Sequence, residues 1–285
     1  MSHAVLAADQ RAPGSEGKAS VNRTAPKRRR IPSPVISLVL AVVLLTVAEG
    51  IARAGWVSEL IVPAPSDVAR SLWDGLSSGL LLKHAGSTIT VSALGFVLAS
   101  ILAIGTAGLL VSYRRLEEVL MPFIVAIQSM PKVAIAPLIL LWFGFSSTSK
   151  LVIVVVICFF PILINSMQGL RIRNRTHFEV LTALGATRRH FFLKLRLPAS
   201  VPYVFAGLRL GVMFSLIGAI VAEFVGSQQG LGYLLLLQKA QFNTAGVFAV
   251  LTVLLVIAVS VDRATLWLEK RIAPWANESS VASAH

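Results

Sequence analysis

The sequence predicts an all-α integral membrane protein with six transmembrane helices and a short cytoplasmic helical element between the fourth and the fifth. Three observations lead there. Of 285 residues, 55% are hydrophobic and only 14% charged, with a mean hydropathy of +0.77, too little polar side chain to coat a water-soluble globule of this size. Six apolar segments approach the ~20 residues that a ~30 Å hydrocarbon core requires, at about 34–56, 85–112, 121–143, 150–170, 203–225 and 246–267. Nineteen of the 26 Lys and Arg fall on one alternate set of connections, five on the other and two inside spans. Lys and Arg are retained on the cytoplasmic face, so both termini are expected in the cytoplasm.

Residues 1–33 lack apolar periodicity and end in Lys27-Arg28-Arg29-Arg30, the composition of a disordered basic cytoplasmic tail. A net charge of +13 could by itself suggest nucleic-acid binding. Its alternation with the apolar spans assigns it to membrane orientation instead, so no nucleic-acid partner is expected. The first span has no small-residue cleavage site after it and reads as a retained helix, with Glu49 near its outer end. In the outer loop, 57–83, Ser66 reads as the N-cap of a short helix through Trp73, and Trp56 and Trp73 suit the membrane interface.

The second and fifth spans each carry small residues every fourth position: Gly95, Ala99, Ala103 and Ala107, and then Gly207, Gly211, Ser215 and Ala219. Such stripes let helix backbones approach closely, either within one subunit or between two. The third span contains Pro131 and Pro137 with Lys132 between them. Proline removes a helix hydrogen bond, and freed backbone at membrane depth is tolerated only against protein or a water-filled cavity. A broken helix lining the translocation path is therefore expected, with Lys132 either on that path or holding carbonyls released by the prolines. Cys158, the one cysteine, reads as an inert buried thiol, and no metal or other cofactor is indicated. Glu223, at the end of the fifth span, has three readings: a partner for a cation, a group on the path, or a residue at the outer interface. Glu49 is read in the same way. The segment 226–245 is too short in apolar residues to cross and is expected to dip into the bilayer or lie across the outer mouth. Residues 271–285 form a cytoplasmic tail.

The stretch from His177 to Pro202 is polar and basic between two apolar blocks. Phe178, Leu181 and Leu184 share a helical face, and Gly185 permits a backbone reversal. A second short helix, Thr187–Leu195, carries Phe191 and Phe192, and Pro198 and Pro202 punctuate the return to the membrane. A compact helix-turn-helix with an apolar ridge and basic flanks suits a groove in a soluble partner.

Glu179, Gly185 and Leu197-Pro198 stand at the spacing of the cytoplasmic EAA loop of ABC importer permeases, and the stretch resembles it. Val180 and Leu181 replace the alanines that usually follow the glutamate, and Leu195 stands where a branched residue is usual two before the Leu-Pro pair. Further segments, PAPSDVARSLWDGL, SMPKVAIAPLILLWFG, FFPILINSMQGL and AEFVGSQQGLGYL, are similar to the permeases for nitrate, sulfonates, taurine and related small anions or heterocycles. The resemblance spans about residues 57–270 within a permease domain of 34–270. It implies a multi-pass subunit of a bacterial inner membrane, forming a two-subunit permease, a homodimer. The partners implied are a cytoplasmic ABC ATPase and an extracytoplasmic substrate-binding protein. In this reading Phe178, Glu179, Leu181, Leu184, Gly185, Phe191, Phe192, Leu197 and Pro198 dock the ATPase.

The chain contains no G-x4-G-K-[ST] phosphate loop, so ATP hydrolysis belongs to a partner chain and this subunit is not expected to be an enzyme. The alternative energy source is a proton gradient, with Glu49, Lys132 and Glu223 as a relay. Neither an inverted repeat nor a midplane acidic pair supports it. An intramembrane enzyme is disfavoured because no span combines a histidine with a matching Ser, Asp or Cys.

Overall fold

The computed structural model describes residues 33–171, 179–181 and 183–272, and its regular secondary structure there is entirely helical. In chain order the helices are α1 (Ser33–Arg53), α2 (Pro65–Ser77), α3 (Leu80–Ser112) and α4 (Arg114–Ser129), then a 3-10 turn (Lys132–Ile135), α5 (Ala136–Phe143) and α6 (Ser147–Arg171). Beyond Gly185 come α7 (Arg188–Phe191), a π-helical turn (Phe192–Arg196), α8 (Leu197–Gly226), α9 (Leu231–Ala240) and α10 (Thr244–Ile272). The described residues fall into two units that divide between Leu44 and Leu45. Of the first, only the opening turns of α1 are described, with Val39, Leu40, Val42, Val43 and Leu44 exposed.

In the second unit α6 packs along both α3 and α8. The two small-residue stripes explain why. Ala99, Ala103 and Ala107 of α3 and Ala219 of α8 are fully enclosed in one core with Val154, Cys158, Ile162 and Leu163 of α6. A Cβ added at Gly95 would lie 2.4 Å from Val154 Cγ1, and one at Gly211 would lie 2.6 Å from Ile162 Cδ1. At Gly169 it would meet the Ser200 carbonyl oxygen at 3.0 Å. The stripes thus serve close packing within this chain, which decides between the two readings of the sequence. Cys158 is buried as expected, its thiol directed at the Gly211 carbonyl at 3.3 Å.

A second core joins α5 to α6 and α8 through Ala136, Ile139, Leu140, Ile153, Ile157 and Ala222. A third joins α3, α9 and α10 through Leu81, Ala85, Leu231, Leu234 and Val250. The segment 226–245, expected to dip or lie across the mouth, therefore holds a ten-residue helix seated on α3 and α10. Outward faces remain apolar: Leu94, Val97, Leu98 and Ile101 of α3 and Leu251, Leu255 and Val256 of α10 are all exposed. So large an apolar surface is stable against lipid rather than water. Arg209, one of the two cations left inside spans by the charge count, is matched by Asp262 of α10 at 2.8 and 3.3 Å, a two-pronged pair.

The expected count of six spans is not reached among the described residues. Four segments are long and apolar enough to cross: α3, α6, α10, and the π turn continued into α8. A fifth exists only if α4 is joined to the 3-10 turn and α5 across a bend of 87°. The bend has a covalent cause, since Pro131 precedes the 3-10 turn and Pro137 opens α5, so neither donates to a continuous α ladder. The third expected span is thus broken, as its prolines indicated, but far more sharply than a kink. The expected first span coincides with α1, which stops at Arg53 rather than Trp56; its side chains at 33–36 and 38 lie outside the described residues.

Two local expectations need correction. Ser66 is not the N-cap of α2, which begins at Pro65 after Ala64. Glu49 of α1 does that work from outside, accepting the Ser66 N–H at 3.0 Å and the Ser66 hydroxyl at 2.7 Å, while Arg53 bonds both Glu49 and Asp67. Pro198 and Pro202 do not interrupt the chain either. Helix runs from Arg188 to Gly226, with both Pro198 and Pro202 inside it. The π turn before Pro198, closed by the Leu197 N–H on the Phe192 carbonyl, takes up the irregularity.

Candidate functional site

The stretch 177–202 is described from Glu179 onward; His177, Phe178 and Thr182 lie outside the described residues. Residues 179–181 and 183 are helical, and the chain reverses at Gly185, which adopts φ +68°. The Ala186 N–H reaches back to the Leu181 carbonyl at 3.0 Å. A left-handed glycine followed by this six-to-one bond is the Schellman stop of a helix, open to glycine and costly to other residues. Thr187 then starts the second arm, its carbonyl accepting the Phe191 N–H at 3.1 Å.

The apolar residues expected to form one ridge divide into two groups. Leu184 is 76% exposed and Val180, one turn earlier, 54% exposed. Leu181 and Phe191 are half-buried, while Phe192 packs against the α3–α6–α8 core. The outward surface is therefore Val180 with Leu184, at i and i+4, beside exposed Glu179 and Gly185. The sequence reading followed the i, i+3, i+6 series from Phe178, whereas the i, i−4 spacing from Leu184 leads to Val180. Leu197 and Pro198, both exposed, open α8, so the turn is continuous with a helix that reaches Gly226. At 1.5 Å per residue those 30 residues span about 45 Å.

At the far end of α8, Glu223 is 1% exposed. Its carboxylate accepts the Thr88 hydroxyl of α3 at 2.8 Å and the Gly232 N–H of α9 at 2.7 Å. The Thr88 oxygen in turn accepts the Leu231 N–H at 2.8 Å, and His84 Nδ1 accepts the Gly230 N–H at 3.0 Å. Glu223, Thr88 and His84 thus bind the first N–H groups of α9, which an isolated helix end would leave unpaired. Gly230, at φ +115°, lies so close that a Cβ there would stand 2.1 Å from the Glu223 carboxyl carbon. Glu223 is consequently a buried clasp between α3, α8 and α9. Nothing in the sequence names its partners, because Thr88 is 135 residues away and His84 is 146 residues from Gly230.

Of the remaining expected path residues, Pro131 and Lys132 stand at the 87° bend and Pro137 lies in the first turn of α5 beyond it. Lys132 Nζ donates to the Gln128 carbonyl at 2.9 Å and lies 5.5 Å from the centre of the Phe160 ring. The cation takes up a carbonyl at the broken end of α4. Glu49, Lys132 and Glu223 are each engaged by different neighbours, on α2, α4 and α3 with α9 respectively. The structure does not bring them together as a relay. Among the described residues no group of three or more His, Cys, Asp or Glu side chains is placed to hold a metal.

Residues 95–274 match the family described as the binding-protein-dependent transport system inner membrane component. The chain is 35% identical over 215 residues to the formylaminopyrimidine transport permease protein of Halalkalibacterium halodurans, covering 75% of this chain and 86% of that one. It is 35% identical over 260 residues to the riboflavin transport system permease protein of Chloroflexus aurantiacus, covering 90% and 97%. A putative aliphatic sulfonates transport permease protein of Bacillus subtilis is 31% identical over 241 residues, covering 84% and 87%.

Proposed function

Because this chain belongs to the binding-protein-dependent transport system inner membrane components, and is thus a membrane-embedded ABC transporter permease, we propose that it couples to its ATPase through residues 177–202. The observation that carries this reading is the Schellman-closed turn at Gly185, which presents Val180 and Leu184 outward while Phe192 anchors the following arm in the core. An apolar pair on a rigid turn fits a groove, and the chain behind it is helix all the way to Glu223. Closure of the ATPase dimer moves the turn, α8 moves with it, and the α3–α8–α9 clasp carries the motion to the outer end. This is rigid-body switching of packed helices driven by a local docking event.

In this proposal two copies of the chain form the path, a binding protein delivers solute outside, and both termini lie in the cytoplasm of a bacterial inner membrane. The solute is a small organic or inorganic anion, such as a sulfonate, taurine or nitrate, or a small heterocycle like those named for the formylaminopyrimidine and riboflavin relatives. Phe178, Glu179, Leu181, Leu184, Gly185, Phe191, Leu197 and Pro198 form or frame the docking element, and Phe192 is its anchor. Substitution Gly185→Pro removes the left-handed turn and Glu179→Lys reverses the exposed charge. In the reconstituted transporter both are expected to lower solute-stimulated ATP hydrolysis at least about tenfold, the scale of a lost coupling energy of 1–3 kcal/mol. Undiminished stimulation in both variants would refute the coupling role.

A further inference from the structure

At the end of α6 and α8 remote from the docking turn lies an open cleft of about 750 Å³. The first turn of α6 forms one wall with Ser147 and Lys150, and Ser146 precedes it; the α8–α9 connection forms the other with Ser227, Gln228 and Gln229. No Asp or Glu lines the cleft. Lys150 is half-buried there, its Nζ donating to the Ser227 hydroxyl at 2.6 Å, and among the described residues no carboxylate lies within ion-pair distance of it. Glu223 attracts it at longer range, but that carboxylate is turned away, onto Thr88 and Gly232. The clasp at Glu223 holds the Ser227–Gln229 wall in place, since Gly230 to Gly232 are its fixed points.

We propose that this cleft receives the anionic group of the transported solute, with Lys150 as its charge partner and the Ser147 hydroxyl and the Gln228 and Gln229 amides as neutral donors. An ammonium with only hydroxyl company keeps donors free, and a charge-assisted bond to an oxyanion is roughly twice as strong as a neutral one. One cation with the Ser147 hydroxyl and two glutamine amides beside it complements a sulfonate, carboxylate or nitrate. The same wall offers a cationic solute nothing to neutralise it. The cleft lies about 36 Å from the cytoplasmic end of α6, by 24 residues at 1.5 Å each, so solute held there has yet to cross. This assignment rests on the permease reading and narrows its solute to an anion.

The test uses the full transporter with its ATPase and binding protein in vesicles, and measures initial import of taurine, ethanesulfonate, nitrate and riboflavin. The wild-type complex is expected to import at least one of the three anionic-group solutes. Lys150→Gln is expected to slow that import about tenfold, the scale of one lost charged hydrogen bond, while Lys150→Arg restores it to within about threefold. Co-purification of the ATPase with each variant reports folding. Import of riboflavin alone, import of none of the four, or anion import by Lys150→Gln at the wild-type rate would each overturn the anion site. Failure of the wild-type chain to hold an ATPase would instead overturn the permease reading.

Discussion

Glu223, buried at the end of α8, ties α8 to α3 and α9 through its two carboxylate oxygens. Its position at the end of an apolar span suggested an interface, a path or an ion pair, yet both its oxygens are spent on Thr88 and Gly232 inside the chain. An amide there presents N–H where an acceptor is required, leaving a buried donor facing a donor. Glu223→Gln is therefore expected to destabilise the chain by about 1–3 kcal/mol, read as a lower unfolding temperature in detergent. Gly230→Ala should lower it further, because its Cβ collides with the Glu223 carboxyl and its φ disfavours any side chain. If both variants melt with the wild type, the clasp does not hold α9. Lys132 is the parallel case: a lysine between prolines is a striking charge in sequence, and here it satisfies a backbone carbonyl.

Among the elements, α6 is the one on which the packing depends. Two neighbours lie against it at distances that leave no room for a methyl group at Gly95, Gly169 or Gly211. Gly211→Leu forces Ile162 from its seat and is expected to cost about 1–3 kcal/mol, the usual penalty of overpacking, again measured as a fall in melting temperature. The substitution Gly86→Leu on α3, where a Cβ meets nothing within 4 Å, serves as the control and should melt near the wild type. Equal melting of the two variants would mean that the stripes do not set the helix spacing. The π turn matters at the same scale, because it lets α7 run into α8 past Pro198 without a hinge. A turn that ends in a hinge would absorb a push; one that ends in helix transmits it.

At the scale of the whole molecule, the helical class, most span positions, the small-residue stripes, the left-handed Gly185 and the break at Pro131 were all legible in the sequence. Each depends on residues within a turn or two of one another, where spacing and composition carry the signal. The severity of the bend, the seating of α9 and the Glu223 partners were not, because they depend on helices brought together from far apart in the chain. The outward pair beside the Gly185 turn fell between: the sequence reading put Leu184 on the outer face and left Val180 off it, since the helix around them is too short for periodicity to choose a face. The central claim is that this pair, and not Phe192, meets the ATPase. Single cysteines placed as Leu184→Cys and Phe192→Cys in a Cys158→Ala background, treated with a short thiol cross-linker in the assembled transporter carrying cysteines along the ATPase groove, test it directly. Cross-linking to the ATPase from position 184 and none from position 192 is the expected result. No product from 184, or equal product from both, would contradict it.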